Sequence, residues 1–167
     1  MARTPDPEAI GTLLRHVHDL LDADIARTYP DLGLPDNYRP RHSPLMRALA
    51  THGPLSIREL ADAVGVTHSA ASQSAAMMVR DGLLELRPGA DARQRIAHLT
   101  ERAQELMPAV DAEWRLVVAA MRELDDELPA PLADVLLAVL DALGRRSLRE
   151  RILSAGGGGR SASDSAG

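Results

Sequence analysis

The 167-residue chain contains no cysteine and no phenylalanine, and only one tryptophan and two tyrosines. The missing thiols exclude disulfides, thiolate metal sites and cysteine-based oxidant sensing. Lysine is also absent, so all 19 basic side chains are arginines. No apolar run approaches the roughly 18 residues of a membrane span, and no signal-peptide pattern opens the sequence. A Gly-rich phosphate loop, a nucleophile elbow and a Cys/His pair are all missing, which argues against an enzyme. Asp111, Glu113, Glu123 and Asp125 to Glu127 fall on the polar side of a predicted helix, where solvated charge is expected.

What remains is a chain of one domain or one fused pair, with 45% hydrophobic residues, almost all Ala, Leu and Val. Few β-branched runs and much Leu and Ala favour a mostly helical fold. The net charge of −5 is unevenly spread. Residues 41–102 hold eight Arg against six acids, a net of +2, and the remainder holds eleven Arg against eighteen acids, a net of −7. The acidic excess therefore lies outside the central third, which is weakly basic.

That central third carries the most informative pattern. Ser56 and Glu59 have the spacing of a capping box, in which hydroxyl and carboxylate each take the other residue's backbone N–H. Leu60, Ala61 and Val64 follow on one face. Gly65 stands where the helix must stop with a positive φ, and Val66 is expected to plug the angle to the next helix. Thr67 is a good N-cap for a second helix reaching about Arg80, with Gly82 beyond its end. In that helix Ala71, Ser74, Ala75 and Met78 point to the core. Thr67, His68, Ser69, Ser72, Gln73, Ala76 and Met77 point outward. Small hydrogen-bonding residues there suit a major groove.

After Gly82 the period becomes alternating. Leu84–Arg87 and Arg95–Leu99 form a predicted antiparallel pair, with Pro88-Gly89 opening the connection and Asp91, Arg93 and Arg95 at the tip. Arginines on a protruding hairpin fit phosphates or a narrow minor groove. The pattern is a winged helix-turn-helix, with duplex DNA as its natural target. Ser69, Ser72 and Gln73 are the candidate base readers, Gln73 because its amide can pair bidentately with adenine. Arg58 and Thr67 are candidates for phosphate, His68 for the DNA face, and Arg93 and Arg95 for wing contacts. A winged helix that binds only protein is the competing reading.

Ser56 to Val66, the Gly82-Leu83-Leu84-Glu85 step and Asp91-x-Arg93 followed by Leu99-Thr100 resemble the DNA-binding core of the MarR (multiple antibiotic resistance regulator) family. The resemblance covers roughly residues 41 to 103. Where that family usually has Gly three residues after the Leu-Thr pair, this chain has Ala103, and Gln73 stands where Arg is frequent. The resemblance implies a cytoplasmic homodimeric transcription factor, usually a repressor relieved by a small ligand, without cofactor. It also implies a ligand pocket where the dimer helices meet the winged domain. His16, Tyr38, His42, Met46 and Trp114 are the candidates to line it.

The flanks read as dimerisation apparatus on either side of a domain at 41–103. Residues 7 to 28 form an amphipathic helix within an N-terminal segment 1–40. Ser43 is expected to cap a short helix with Pro44 at its first position. In a C-terminal segment 104–154, Thr100 caps a long helix containing Pro108. Its apolar stripe is Leu106, Val110, Trp114, Val117, Met121 and Leu124. Pro129 and Pro131 then start a last helix with Leu132, Val135, Leu136, Val139, Leu140 and Leu143 on one side. Two copies pairing these helices would space two recognition helices over a pseudo-palindromic operator. Residues 155–167 are Gly/Ser-rich and predicted disordered. A metal-responsive regulator is the weaker alternative: His16 and His18 point about 200° apart on a helix and suit no shared ion.

Overall fold

A computed structural model describes residues 6–89 and 94–157. The chain divides into two compact units, Met1–Val118 and Ala119–Gly167. It is mostly helical with one small antiparallel sheet. In order the elements are α1 (Ile10–Arg27), a 3₁₀ turn (Pro30–Leu32), α2 (His42–His52), β1 (Leu55–Ser56), α3 (Ile57–Val64), α4 (His68–Arg80), β2 (Leu84–Pro88), β3 (Arg95–Leu99), α5 (Glu101–Asp126), α6 (Leu132–Arg145) and α7 (Leu148–Gly157).

In the first unit, Tyr38, Met46, Leu60, Met78, Leu83, Leu84 and Val110 are buried in one core to which α2, α3, α4, β2 and α5 all contribute. The alternation of β2 and β3 is realised as a hairpin in which Leu84 faces Leu99 and Pro88 faces Arg95. Pro88, which has no N–H to donate, sits at the strand end where that costs least. The two-residue β1 pairs with the other side of β3, Leu55 opposite Ala97 and Ser56 opposite Ile96, giving the order β1-β3-β2. So short a strand, running straight into a helix, leaves no period to read, and the sequence pattern missed it. Thr100 caps α5 as expected, accepting the Ala103 N–H at 3.1 Å, and its hydroxyl also donates to the Gly82 carbonyl at 2.8 Å.

Several expectations are corrected. α2 begins at His42, with Arg41 before it and no side-chain cap. Ser43 is not its N-cap, because its hydroxyl is taken by Tyr38 and Glu113. Glu113 is not a solvated carboxylate: it is buried at 3% exposure. Val66 does not plug the helix angle and is 41% exposed, because the buried Leu60, Ala61, Ala71 and Ala75 already fill it.

α1 buries no residue, and Ile10, Leu14, Val17 and Leu20 are all about half exposed or more. In the second unit α6 likewise buries nothing, leaving Val135, Leu136, Leu137, Val139, Leu140 and Leu143 exposed. α7 was not expected. It is started by a capping box in which the Ser147 N–H donates to Glu150 at 2.8 Å and the Glu150 N–H to Ser147 Oγ at 3.3 Å. It carries the helix to Gly157, into the segment predicted disordered from 155; the rest of that segment lies outside the described residues.

Candidate nucleic-acid interface

The helix-turn-helix is built by its caps. The Ser56 N–H donates to Glu59 Oε2 at 2.8 Å, and the Glu59 N–H donates to Ser56 Oγ at 3.2 Å. The Ser56 hydroxyl and backbone N–H beside the carboxylate favour its ionised form and hold the Glu59 pKa below its ordinary value. Gly65 ends α3 in the left-handed region, φ +76°. The next residue's N–H, from Val66, reaches back to the Ala61 carbonyl at 3.0 Å, which closes the helix end. Thr67 then caps α4 by accepting the Ala70 N–H at 3.2 Å. The chain turns within three residues, and the Ala61 and Asp62 carbonyls at the end of α3 and the Ala70 N–H at the start of α4 all find partners.

The recognition helix α4 is two-faced. Ala71, Ser74, Ala75 and Met78 are buried. His68, Ser69, Ser72, Gln73 and Ala76 are exposed, and Met77 is half-buried. At 3.6 residues per turn, Ser69, Ser72, Gln73 and Ala76 fall within an arc of about 100° opposite the buried face. The side chains in this stripe are short and hold hydroxyl and amide groups, so the backbone can approach a base edge closely. Arg58 is exposed on the first turn of α3, and Arg95 is exposed where β3 begins. Arg87 on β2 is held by Glu85 at 2.9 Å. Arg93 lies outside the described residues.

The proposed ligand-lining residues separate. Tyr38, His42 and Met46 come together as core: each is 0% exposed. The Tyr38 ring meets His42 edge-on at 5.2 Å, and its hydroxyl lies 3.5 Å from the Met46 sulfur. His16 is half-buried on α1. Trp114 is half-buried on α5, with the Arg47 guanidinium 5.0 Å above its ring and Arg47 paired to Asp111. Trp114 borders a groove of about 270 Å³ formed with α2 and α3. A second groove, of about 450 Å³, runs between α1 and the helix-turn-helix. Its walls include His18 and Asp22, Arg41, Val66, Ala70 and Ser74.

A buried polar network, which sequence reasoning missed, lies beneath the interface. Ser43 Oγ donates to Glu113 Oε2 at 2.8 Å and lies 3.1 Å from the Tyr38 hydroxyl. Burial raises the Glu113 and Tyr38 pKa values. The Arg39 N–H donates to His42 Nδ1 at 3.2 Å, so the neutral ring carries its proton on Nε2. That Nε2 has no hydrogen-bond partner among the described residues and faces Asp81 Oδ2 at 3.8 Å. Burial, with help from Arg39 and Arg41 and against the pull of Asp81, lowers the His42 pKa to about 4. These partners lie tens of residues apart, so no local spacing announces them.

A short antiparallel wing, a capped helix-turn-helix and a polar stripe on the second helix define a winged helix-turn-helix protein. Residues 32–94, well under half of the chain, match the model of the MarR family, so the winged helix-turn-helix region is similar to that family. Solved structures share the fold. The transcriptional regulator MOSR from M. tuberculosis, solved in complex with DNA, is similar at 23% identity and a TM-score of 0.59, over 82% of this chain and 96% of that one. The PcaV transcriptional regulator from Streptomyces coelicolor, solved with its natural ligand, is similar at 17% identity and a TM-score of 0.58, over 88% and 99%. A probable transcriptional regulator from Pseudomonas aeruginosa is similar at 17% and 0.56, over 80% and 96%. No curated protein matches the chain.

Proposed function

We propose that this protein is a cytoplasmic, sequence-specific DNA-binding repressor that acts as a homodimer and is released from its operator by a small ligand. The observation that carries the reading is the exposed stripe of Ser69, Ser72, Gln73 and Ala76 on α4, backed by the buried Ala71 and Ala75. Ser69, Ser72 and Gln73 read base edges, and His68 lies beside them. Arg58 and Thr67 hold phosphates, and Arg93 and Arg95 anchor the wing. That MOSR, which shares the fold, is solved in complex with DNA supports a DNA-binding reading.

Dimerisation is supported by the apolar side chains left uncovered on α1 and on α6. A winged domain of net charge only +2 gains useful affinity by doubling its contacts. Ligand release is supported by the groove between α1 and the back of α4. A molecule wedged there favours a different α4 position, and the two recognition helices then no longer match half-sites about 34 Å apart. The PcaV structure with its natural ligand is consistent with an effector site in this fold.

The test is a mobility-shift assay on DNA upstream of the chain's own gene, alongside sedimentation of the free protein. A discrete shift at low salt by a protein sedimenting as a dimer is expected. No shifted fragment, or a monomer at micromolar concentration, overturns the corresponding part of the reading.

A further inference from the structure

The C-terminal end of the recognition helix is tied down by an unusual number of separate elements. Asp81 is its C-cap, and the side chain is 20% exposed. Its Oδ1 accepts from Asn37 Nδ2 at 3.1 Å, a residue of the loop before α2. Its Oδ2 lies 3.8 Å from His42 Nε2, in the first turn of α2. Its backbone carbonyl accepts from Arg102 Nη1 at 3.3 Å, from the first turn of α5. The loop, α2 and α5 thus converge on one residue, whose carboxylate faces Asn37 and His42 at the end of α4 away from Ser69. Next to His42, Ser43 reaches the opposite way, to Glu113 further along α5. Two adjacent residues of α2 therefore connect the end of the recognition helix to the helix that leaves the winged domain.

Resting on the DNA-reading proposal above, we propose that Asp81 is a positioning residue, held by Asn37 and His42, that sets the angle at which α4 presents Ser69, Ser72 and Gln73. A rod fixed at both ends keeps its orientation. Thr67 and Gly65 fix the N-terminal end of α4, and the Asp81 carboxylate fixes the other. His42 Nε2 at 3.8 Å is beyond hydrogen-bond reach but within about 1 Å of it, so the contact tightens or opens with a small tilt of α4. Such a tilt about the fixed Thr67 end moves base contacts by a comparable distance, while the phosphate contacts of Thr67 stay at the pivot and those of the long Arg58 and Arg95 side chains, outside α4, adjust. Asp81 therefore governs discrimination between sequences more than overall attraction to DNA.

Asn37→Ala tests this without changing charge, and Asp81→Ala approaches the same bond from the other side. Affinity is measured on a duplex selected by the wild-type protein and on a scrambled duplex, at a temperature where all three proteins are fully folded. Both variants are expected to lower the specific-to-scrambled ratio five-fold or more, and Asn37→Ala to leave scrambled binding and its salt slope unchanged. A destabilised but correctly oriented helix lowers neither ratio once folded, so ratios within two-fold of wild type overturn the proposal. Backbone amide shifts of the free protein supply a reading independent of DNA. Asn37→Ala should perturb α4 as far as Ser69 to Gln73, and perturbation confined to Asp81 to Leu83 overturns the proposal. A wild-type protein that selects no duplex refutes the DNA reading, while the amide shifts still decide the role of Asp81.

Discussion

Acid should destabilise this protein through one histidine. His42 is 0% exposed, and its pKa falls from 6.5 to about 4 in the folded chain. As pH falls, the unfolded chain takes up a proton near 6.5 while the folded chain does not until about 4. The stability held by the neutral ring is therefore complete above pH 6.5 and is lost as pH drops toward 4. At about 1.4 kcal/mol per pH unit, the loss from pH 7 to pH 5 is about 2 kcal/mol. Glu113 acts in the opposite sense. Its carboxyl is raised by burial, so the stability it contributes is present at low pH and lost as pH rises. Comparing the wild type with His42→Gln removes that contribution, because Glu113 is common to both. Urea unfolding at pH 7, 6 and 5 and one protein concentration gives the two curves. The wild type should lose about 2 kcal/mol more than the variant over that range. Parallel curves, or a His42 ring that titrates near 6.5 by NMR, would refute the account of its burial.

Three further outcomes follow from the interface. Ser56→Ala should cost about 1 kcal/mol of stability in urea unfolding, the usual loss for an N-cap. In the same variant the Glu59 side chain should titrate closer to its ordinary value, read by carboxyl NMR. Gly65→Ala should cost roughly 1–2 kcal/mol by thermal unfolding, from backbone strain alone. A Cβ there meets nothing within 4 Å, so a cost well beyond that range would contradict the geometry. In quantitative binding, Gln73→Ala should change base preference, whereas Arg95→Ala should weaken all sequences alike and lower the salt slope by about 1.

The parts of this molecule that a reader of the sequence sees are those whose causes lie within one turn of chain. Ser56, Glu59, Gly65 and Thr67 act on neighbours three or four residues away, and each performs the expected cap or stop. The β2–β3 register follows from alternation across a short connection. Ser43 shows the limit. Next to Pro44 it reads as an N-cap, yet its hydroxyl serves Glu113, seventy residues later, and Glu113 reads as solvated for the same reason. Asn37 and Asp81, forty-four apart, leave no pattern at all. Tyr38, His42 and Met46 read as pocket residues from their place at the junction of the flanking helix and the winged domain, a place where side chains also pack as core. α7 is different, since Ser147 and Glu150 did carry a capping signal.

Ser56 belongs to two structures at once. Its main chain lies opposite Ile96 in the sheet, and its side chain closes the first turn of α3. No spacer separates the wing from the helix-turn-helix at this point. A pull on the hairpin is delivered directly to the helix that supports the reader, and a shift of α3 is felt at the hairpin. Evolution of this protein can exchange the exposed side chains of α4 at little structural cost, while Ala71, Ser74, Ala75 and Met78 stay fixed by packing. It cannot lengthen or shorten the chain between Leu55 and Ile57 without disturbing the sheet and the helix-turn-helix together.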